Sequence, residues 1–176
     1  MSTSTPKPSD RHAIERTRWR IDPARSSVEF HSPTFWGLMT VKGHFEHYEG
    51  TLDLQRTPAI ELTIEAGSLN TNNKMRDKHL RSNDFFDVTD HPHVRFISDN
   101  ATLHGERLKV SGLLYAAGQS IPLTLDAELR RVGDELDIYA KTDADHRKLG
   151  MTHGMLGMIR TPSQLTVRGR LIQTAE

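Results

Sequence analysis

The chain has 176 residues, enough for one domain with a sizeable core, and its 35% hydrophobic and 26% charged residues are the balance of a globular protein. Lys+Arg and Asp+Glu number 23 each, so no basic surplus exists to displace counterions from a nucleic acid or to hold an anionic membrane. There is no cysteine, which excludes disulfides, thiolate nucleophiles and cysteine-based zinc sites.

Residues 1–17 are rich in Ser, Thr, Pro and charge, a composition that predicts a disordered tail. The tail holds no apolar run of roughly 7–15 residues, the core of a secretory signal. Nowhere is there a run of about 18 apolar residues that could cross a bilayer as a helix. The expectation is a protein without a transmembrane segment that stays in the cytoplasm. No internal repeat or linker divides residues 18–176, which read as one domain.

From Trp19 onward the hydrophobic period is two. Val28 and Phe30 alternate with Ser27 and Glu29, and residues 40–54 read as two further strands. Ile60, Leu62, Ile64 and Ala66 share one face, with Glu61, Thr63 and Glu65 on the other. The pattern continues through Val94, Phe96 and Ser98, then Leu108, Val110, Gly112 and Leu114. It returns in Ile121, Leu123, Leu125, Ala127 and Leu129, in Leu136, Ile138 and Ala140, and in Leu165, Val167, Gly169 and Leu171. Gly residues punctuate these runs at Tyr48-Glu49-Gly50, His104-Gly105-Glu106, Ala117-Gly118-Gln119 and Val132-Gly133-Asp134, as in hairpins. The result is an all-β chain of about eight or nine antiparallel strands. Of the two architectures that suit such spacing, a closed up-and-down barrel is favoured over a sandwich, because closure removes exposed edges.

Two segments break the rhythm. Residues 72–84 place Met75, His79 and Leu80 at helical spacing behind Asn72 or Asn73, which predicts one short capped helix. Residues 143–161, with GMTHGMLGM, predict a flexible loop carrying soft apolar side chains.

Ten His residues raise a metal site, but none falls in a diagnostic spacing. His44 and His47 lie three apart in a strand, His91 and His93 two apart, and the expectation is no metal and no cofactor. No nucleophile elbow, phosphate-cradling glycine loop or dinucleotide fingerprint is present, and no catalytic residue is assigned. Asp143, Asp145 and His146 form the one acid–base group worth weighing, which keeps an enzyme acting on a small hydrophobic substrate at the barrel mouth as the alternative function. For Arg76-Asp77 two readings compete: a helix-terminal charge with a loop-anchoring ion pair, or a hold on a polar ligand head. In Phe85-Phe86 one ring should cap the barrel interior and the other pack under the connecting loop. Small residues expected to face inward, Ala66, Gly112, Ala127, Ala140 and Gly169, lean towards a cavity rather than a filled barrel.

Four ordered motifs carry a resemblance to a known family: WRIDPARSSVEF, VKGHFEHYEGTLDL, RDKHLRSNDFFDVTDHPHVRF and VSGLLYAAGQSIPLTL. Together they resemble the YceI-like family of polyisoprenoid-binding proteins from Trp19 to about Gln173. The resemblance implies a lipocalin-like antiparallel barrel of about eight strands. It also implies non-catalytic binding, storage or transport of an isoprenoid-type lipid, such as a quinone or polyprenyl chain, and a homodimer. Alternation and motif together give Phe30, Phe45, Leu62, Ile64, Phe86, Phe96, Leu114, Leu123 and Leu125 as lining residues, with Arg76 and Asp77 near a polar head. The chain departs from the family at DHRKLGM, where His146 takes the register of an Arg and Leu149 that of a Phe, and His146 joins the ligand-binding candidates. Trp36 and Met39 add bulk near one end, so the resemblance is compatible with a ligand shorter than a full polyprenyl chain.

Overall fold

The computed structural model describes residues 8–34, 39–151 and 162–174, and eleven β-segments there form one antiparallel sheet closed on itself. They are β1 (Trp19–Ile21), β2 (Ser27–Thr34), β3 (Met39–Phe45), β4 (Tyr48–Leu52), β5 (Ile60–Glu65), β6 (Leu69–Asn70), β7 (His93–His104), β8 (Arg107–Ala116), β9 (Gln119–Val132), β10 (Glu135–Ala144) and β11 (Ser163–Gln173). Two helices join them, α1 (Pro8–Arg16) and α2 (Lys74–Arg81).

Strand β11 pairs with β2 over Gln164–Arg168 and with β1 over Leu171–Gln173. Segments β1 and β2 are therefore two halves of one barrel strand, broken by the tight turn Pro23–Arg25. Segments β3 and β4 are likewise two halves of the next, lying against β2 and β1 respectively. Counted this way the ring has eight strands in up-and-down order, and the β1–β11 pairing closes it. The period-two faces are as expected: on β8, Leu108, Val110, Gly112, Leu114 and Ala116 are buried, while Arg107, Lys109, Leu113 and Tyr115 are exposed.

Turn chemistry holds at three of the four expected glycines, Gly105, Gly118 and Gly133, and fails at Gly50. Ala117 and Gly118 both have positive φ, 49° and 75°, which is the two-residue type I′ turn linking β8 to β9. Gly50, expected in a turn, sits inside β4 instead; the chain bends at Glu46-His47, between the two halves of the kinked strand. The small-residue argument also changes. A Cβ on Gly112 would collide with the Ile97 carbonyl oxygen, and one on Gly169 would collide with Ser26 Oγ. Both glycines permit close backbone approach, Gly112 beside the register shift at Ser98/Asn100, and neither opens volume. Ala66 is buried at the start of a 3₁₀ turn.

The expected disordered tail is corrected over part of its length: Pro8–Arg16 is helical, although residues 1–7 lie outside the described residues. Ile14 is buried in the core cluster, and its carbonyl accepts a hydrogen bond from Trp19 Nε1–H at 3.3 Å. One apolar anchor suffices to order a segment whose composition is otherwise polar. Around that anchor the barrel is filled: Trp19, Leu108, Leu129 and Leu136 are 0% exposed.

A charged rim ties β10 and β11 to the break between β1 and β2. Arg25 donates to Asp22 at 2.7 Å and to both Glu135 oxygens at 2.9 and 2.8 Å, while Arg170 donates to Glu135 at 2.9 Å. The hydrogen bonds from Arg25 hold the Asp22 and Glu135 carboxyls below their ordinary values of 3.8 and 4.5, with Arg170 adding to the effect on Glu135. A carboxyl whose pKa is depressed on folding contributes stability above its unfolded pKa and loses it as pH falls through the folded one. Stability should therefore decline between about pH 5 and pH 3, and Glu135→Gln should flatten that decline while lowering stability slightly at pH 7. Urea unfolding at pH 7, 5, 4 and 3 measures both; an unchanged pH slope in the variant would remove this rim from the account.

Candidate functional site: an apolar cavity in the barrel

The other half of the barrel is hollow. None of Trp19, Leu108, Val110, Leu129 or Leu136 reaches this space, a cavity of about 210 Å³ that begins above Ile21, Leu52 and Leu171. It extends to His146 and Ser163 at the end that carries α2. On β11 alone the lining runs from Leu171 to Ser163. That is about 26 Å along the strand, or roughly 20 Å along the axis of a barrel with strands tilted about 40°.

The insert between β5 and β7 closes this end for a topological reason. Strand β5 stops at Glu65, opposite β4, and leaves the edge of β3 uncovered; β6 pairs with His44 and Phe45 of β3, and α2 follows. The helix starts where the sequence predicts, with Asn73 Oδ1 accepting from the Arg76 N–H at 3.0 Å. Of the three residues at helical spacing, Leu80 is buried against the cavity, while His79 is exposed and Met75 is 85% exposed. Phe86 meets Phe45 edge-on at 5.9 Å, and Phe45 meets Phe30 at 5.5 Å, so three rings line one wall. Phe85 stacks edge-on against His79 at 4.9 Å and also reaches the cavity, so both adjacent rings contribute to it.

Of the sequence-derived lining residues, Phe30, Phe45, Leu62, Ile64, Phe86, Phe96, Leu114, Leu123 and Leu125 all border the cavity, and so does His146. Ala127 and Ala140, paired across β9 and β10, supply the open volume expected of small inward residues.

Arg76 and Asp77, expected near a ligand head, are not among the residues that border it. Asp77 is buried and accepts both the backbone N–H of Thr71, at 2.9 Å, and the Thr71 hydroxyl. Arg76 donates to Thr71 Oγ1 at 2.8 Å and to the Thr71 carbonyl at 2.7 Å. Arg81 adds bonds to the carbonyls of Gly67 and Leu69, both at 2.8 Å. These charges satisfy the backbone groups left bare where β6 ends, and they bolt α2 to the barrel. Asp77→Ala should cost about 1–3 kcal/mol by stranding the Thr71 donors. Amide exchange should then accelerate across residues 66–92, while affinity for any cavity ligand shifts less than stability does. Faster exchange spread evenly over the barrel would contradict the latch.

The acid–base group also comes apart. Asp145 accepts from the Arg147 backbone N–H at 3.1 Å and takes a bidentate grip from its guanidinium at 2.8 and 2.9 Å. That guanidinium holds the Asp145 carboxyl below its usual value. Asp143 and Lys141 are exposed, and neither Asp143 nor Asp145 borders the cavity. His146, 5% exposed, instead places Nδ1 3.0 Å from Ser163 Oγ, which lies 2.6 Å from Ser32 Oγ. Among the described residues no three His, Asp or Glu side chains converge as metal ligands, and no helix is long and apolar enough to cross a membrane. Trp36, residues 152–161 and the side chain of Met39 lie outside the described residues.

A family model described as the YceI-like domain matches residues 19–171, the whole ring of strands. The chain belongs to the YceI-like family. The YceI protein of Shigella flexneri is 36% identical over 103 residues, and that of Salmonella arizonae 34% over 103. Each match covers 56% of this chain and 54% of the relative, so the matched segment spans about half the length of these curated relatives. Among solved structures, Burkholderia cenocepacia BcnA superposes with a TM-score of 0.75 at 17% identity, over 85% of this chain and 98% of its own. A polyisoprenoid binding domain from Saccharophagus degradans, implicated in plant cell wall breakdown, gives 0.69 at 13% identity over 90% of this chain and all of its own. At those identities the likeness shows the YceI-like fold.

Within this YceI-like barrel the sequence reading missed Ser32, Ser163, Thr71 and Arg81. The first two were legible. Ser32 follows Val28 and Phe30 at period two, and Ser163 precedes Leu165 and Val167 in the same way, so both belong to inward faces. Thr71 and Arg81 act through backbone groups, which no side-chain pattern displays.

Proposed function

We propose that this protein binds, and stores or carries, an isoprenoid-type lipid in the barrel without acting on it chemically. The observation that carries this reading is the cavity: a run of aromatic and aliphatic side chains from Ile21 to Phe86, with small residues at its waist. The description of the Saccharophagus degradans relative as a polyisoprenoid binding domain supports the same class of ligand. A non-catalytic role is supported by the wall's chemistry. Its two charged residues, Glu61 and Lys141, are exposed.

Magnitudes favour a long ligand. Burial returns about 0.8 kcal/mol per CH₂, and association costs roughly 4–15 kcal/mol before any affinity is left. Micromolar binding corresponds to about 8 kcal/mol. A molecule must therefore bury on the order of fifteen or more carbons, which excludes small volatile hydrophobes. A series of isoprenoid alcohols from five to twenty carbons, competed against a fluorescent fatty probe, tests this. Affinity should climb steeply with each unit until the cavity is full. A flat series, or no displacement at any length, would defeat the proposal.

A further inference from the structure

We infer that the cavity recognises a lipid whose head is a single uncharged oxygen group, a hydroxyl or a carbonyl, through the chain Ser32–Ser163–His146, and that it discriminates against phosphorylated heads. This rests on the lipid-binding reading and adds the head chemistry to it.

The polar chain is built into an apolar wall. Ser32 and Ser163 are each 8% exposed and His146 is 5% exposed, all three border the cavity, and they stand together at the α2 end. Buried polar groups on such a surface cost free energy unless they are hydrogen-bonded. The two hydrogen bonds link them in series, 2.6 Å between the hydroxyls and 3.0 Å from Ser163 Oγ to His146 Nδ1.

A series of this kind runs in either direction. When His146 Nδ1 accepts, the protons of Ser163 and Ser32 point towards the histidine, and the Ser32 oxygen presents lone pairs to a ligand hydroxyl. When Nδ1 carries the proton, it donates to Ser163, Ser163 donates to Ser32, and the Ser32 O–H is left to donate to a ligand carbonyl. One neutral site thus reads both the alcohol and the carbonyl form of a head, because the imidazole tautomer reverses the chain.

Among the described residues a phosphate has no such partner. Burying a doubly charged head requires cations at contact distance. The one lysine or arginine in the described wall, Lys141, is exposed, and the neighbouring Arg147 is held by both oxygens of Asp145.

The test compares C20 isoprenoids that differ only at the head: geranylgeraniol, geranylgeranial, the hydrocarbon and geranylgeranyl diphosphate, each competed against a fluorescent fatty probe on the full chain. Alcohol and aldehyde should bind within a few-fold of each other and at least tenfold tighter than the diphosphate. Ser32→Ala should weaken the alcohol and aldehyde roughly three- to tenfold while leaving the hydrocarbon unchanged. Ser163→Ala should do the same by breaking the chain, and retained hydrocarbon binding shows that both variants are folded. Diphosphate binding as tight as alcohol binding overturns the inference, as do serine variants without effect on either oxygenated head. In both cases the chains still bind and the lipid reading stands. If no C20 chain binds at all, the lipid reading falls, and this inference with it.

Discussion

Replacing Ala140 by Phe should lower affinity for a C20 isoprenoid by at least tenfold while leaving the melting temperature within a few degrees of the parent. Ala140 pairs with Ala127 on β9 and Val167 on β11, and all three border the cavity. A phenyl ring there enters empty space rather than a packed core. The usual overpacking cost of about 1–3 kcal/mol is then offset by new apolar contact. A ligand, by contrast, loses the waist of the tube, and each methylene displaced forfeits about 0.8 kcal/mol. Two displaced methylenes already exceed a factor of ten. Melting curves and probe displacement on the same preparation separate the two effects. A variant that binds as well as the parent would mean that the ligand does not occupy this space; one that unfolds would mean that the waist is already full.

Trp19→Ala should produce the largest stability loss of any single substitution considered, about 3–5 kcal/mol. The indole is wholly buried at the filled end of the barrel, it lies between the partner strands β4 and β11, and its N–H holds the carbonyl of Ile14. Truncation removes a large apolar surface, leaves a cavity and releases the anchor of α1. Trp19→Phe, which keeps most of the packing and loses the hydrogen bond, should cost only about 1–2 kcal/mol. Because the ligand cavity begins beyond this layer, affinity measured where the alanine variant remains folded should stay within about twofold of the parent. Denaturant unfolding checks the first figure. A loss under 1 kcal/mol would show that the α1 end is not the stabilising core, and a collapse of lipid affinity in the folded variant would show that the two halves are coupled.

The division between a filled half and a hollow half was only partly legible in the sequence. Period-two alternation located the strands, because in a closed barrel every inward position is dry and every outward one wet; Leu108 to Ala116 and Ile121 to Leu129 show it without ambiguity. Alternation does not say which inward positions meet each other. Leu108, Leu129 and Leu136 read the same as Leu114 and Leu123, yet the first group fills one end and the second lines a cavity. The difference lies in the stagger of the strands and in Trp19, whose bulk closes one end.

Glycines misled for a related reason. Gly112 and Gly169 read as missing volume, but each is where another segment presses close, a fact fixed by strand register rather than by residue type. Arg76 and Asp77 were legible as a pair with two competing readings, and the bonds they make are those of the structural one. The strand beside them ends at Asn70, and the backbone of Thr71 needs partners that only a folded insert reveals. The helix α1 was missed because six of its nine residues are polar or charged and a single buried Ile decides the matter. His146 was singled out by its neighbours Asp143 and Asp145 and by the register of a family Arg, whereas its partner in the structure is Ser163, which comes from another strand.

Native mass spectrometry of the protein purified without detergent from its own host tests the central claim most directly. The account predicts an added mass that survives gentle desolvation, is lost to organic extraction, and belongs to a long hydrocarbon chain bearing an uncharged oxygen head. A spectrum showing only the bare chain, together with no uptake when the protein is offered a C20 isoprenoid alcohol, would contradict it.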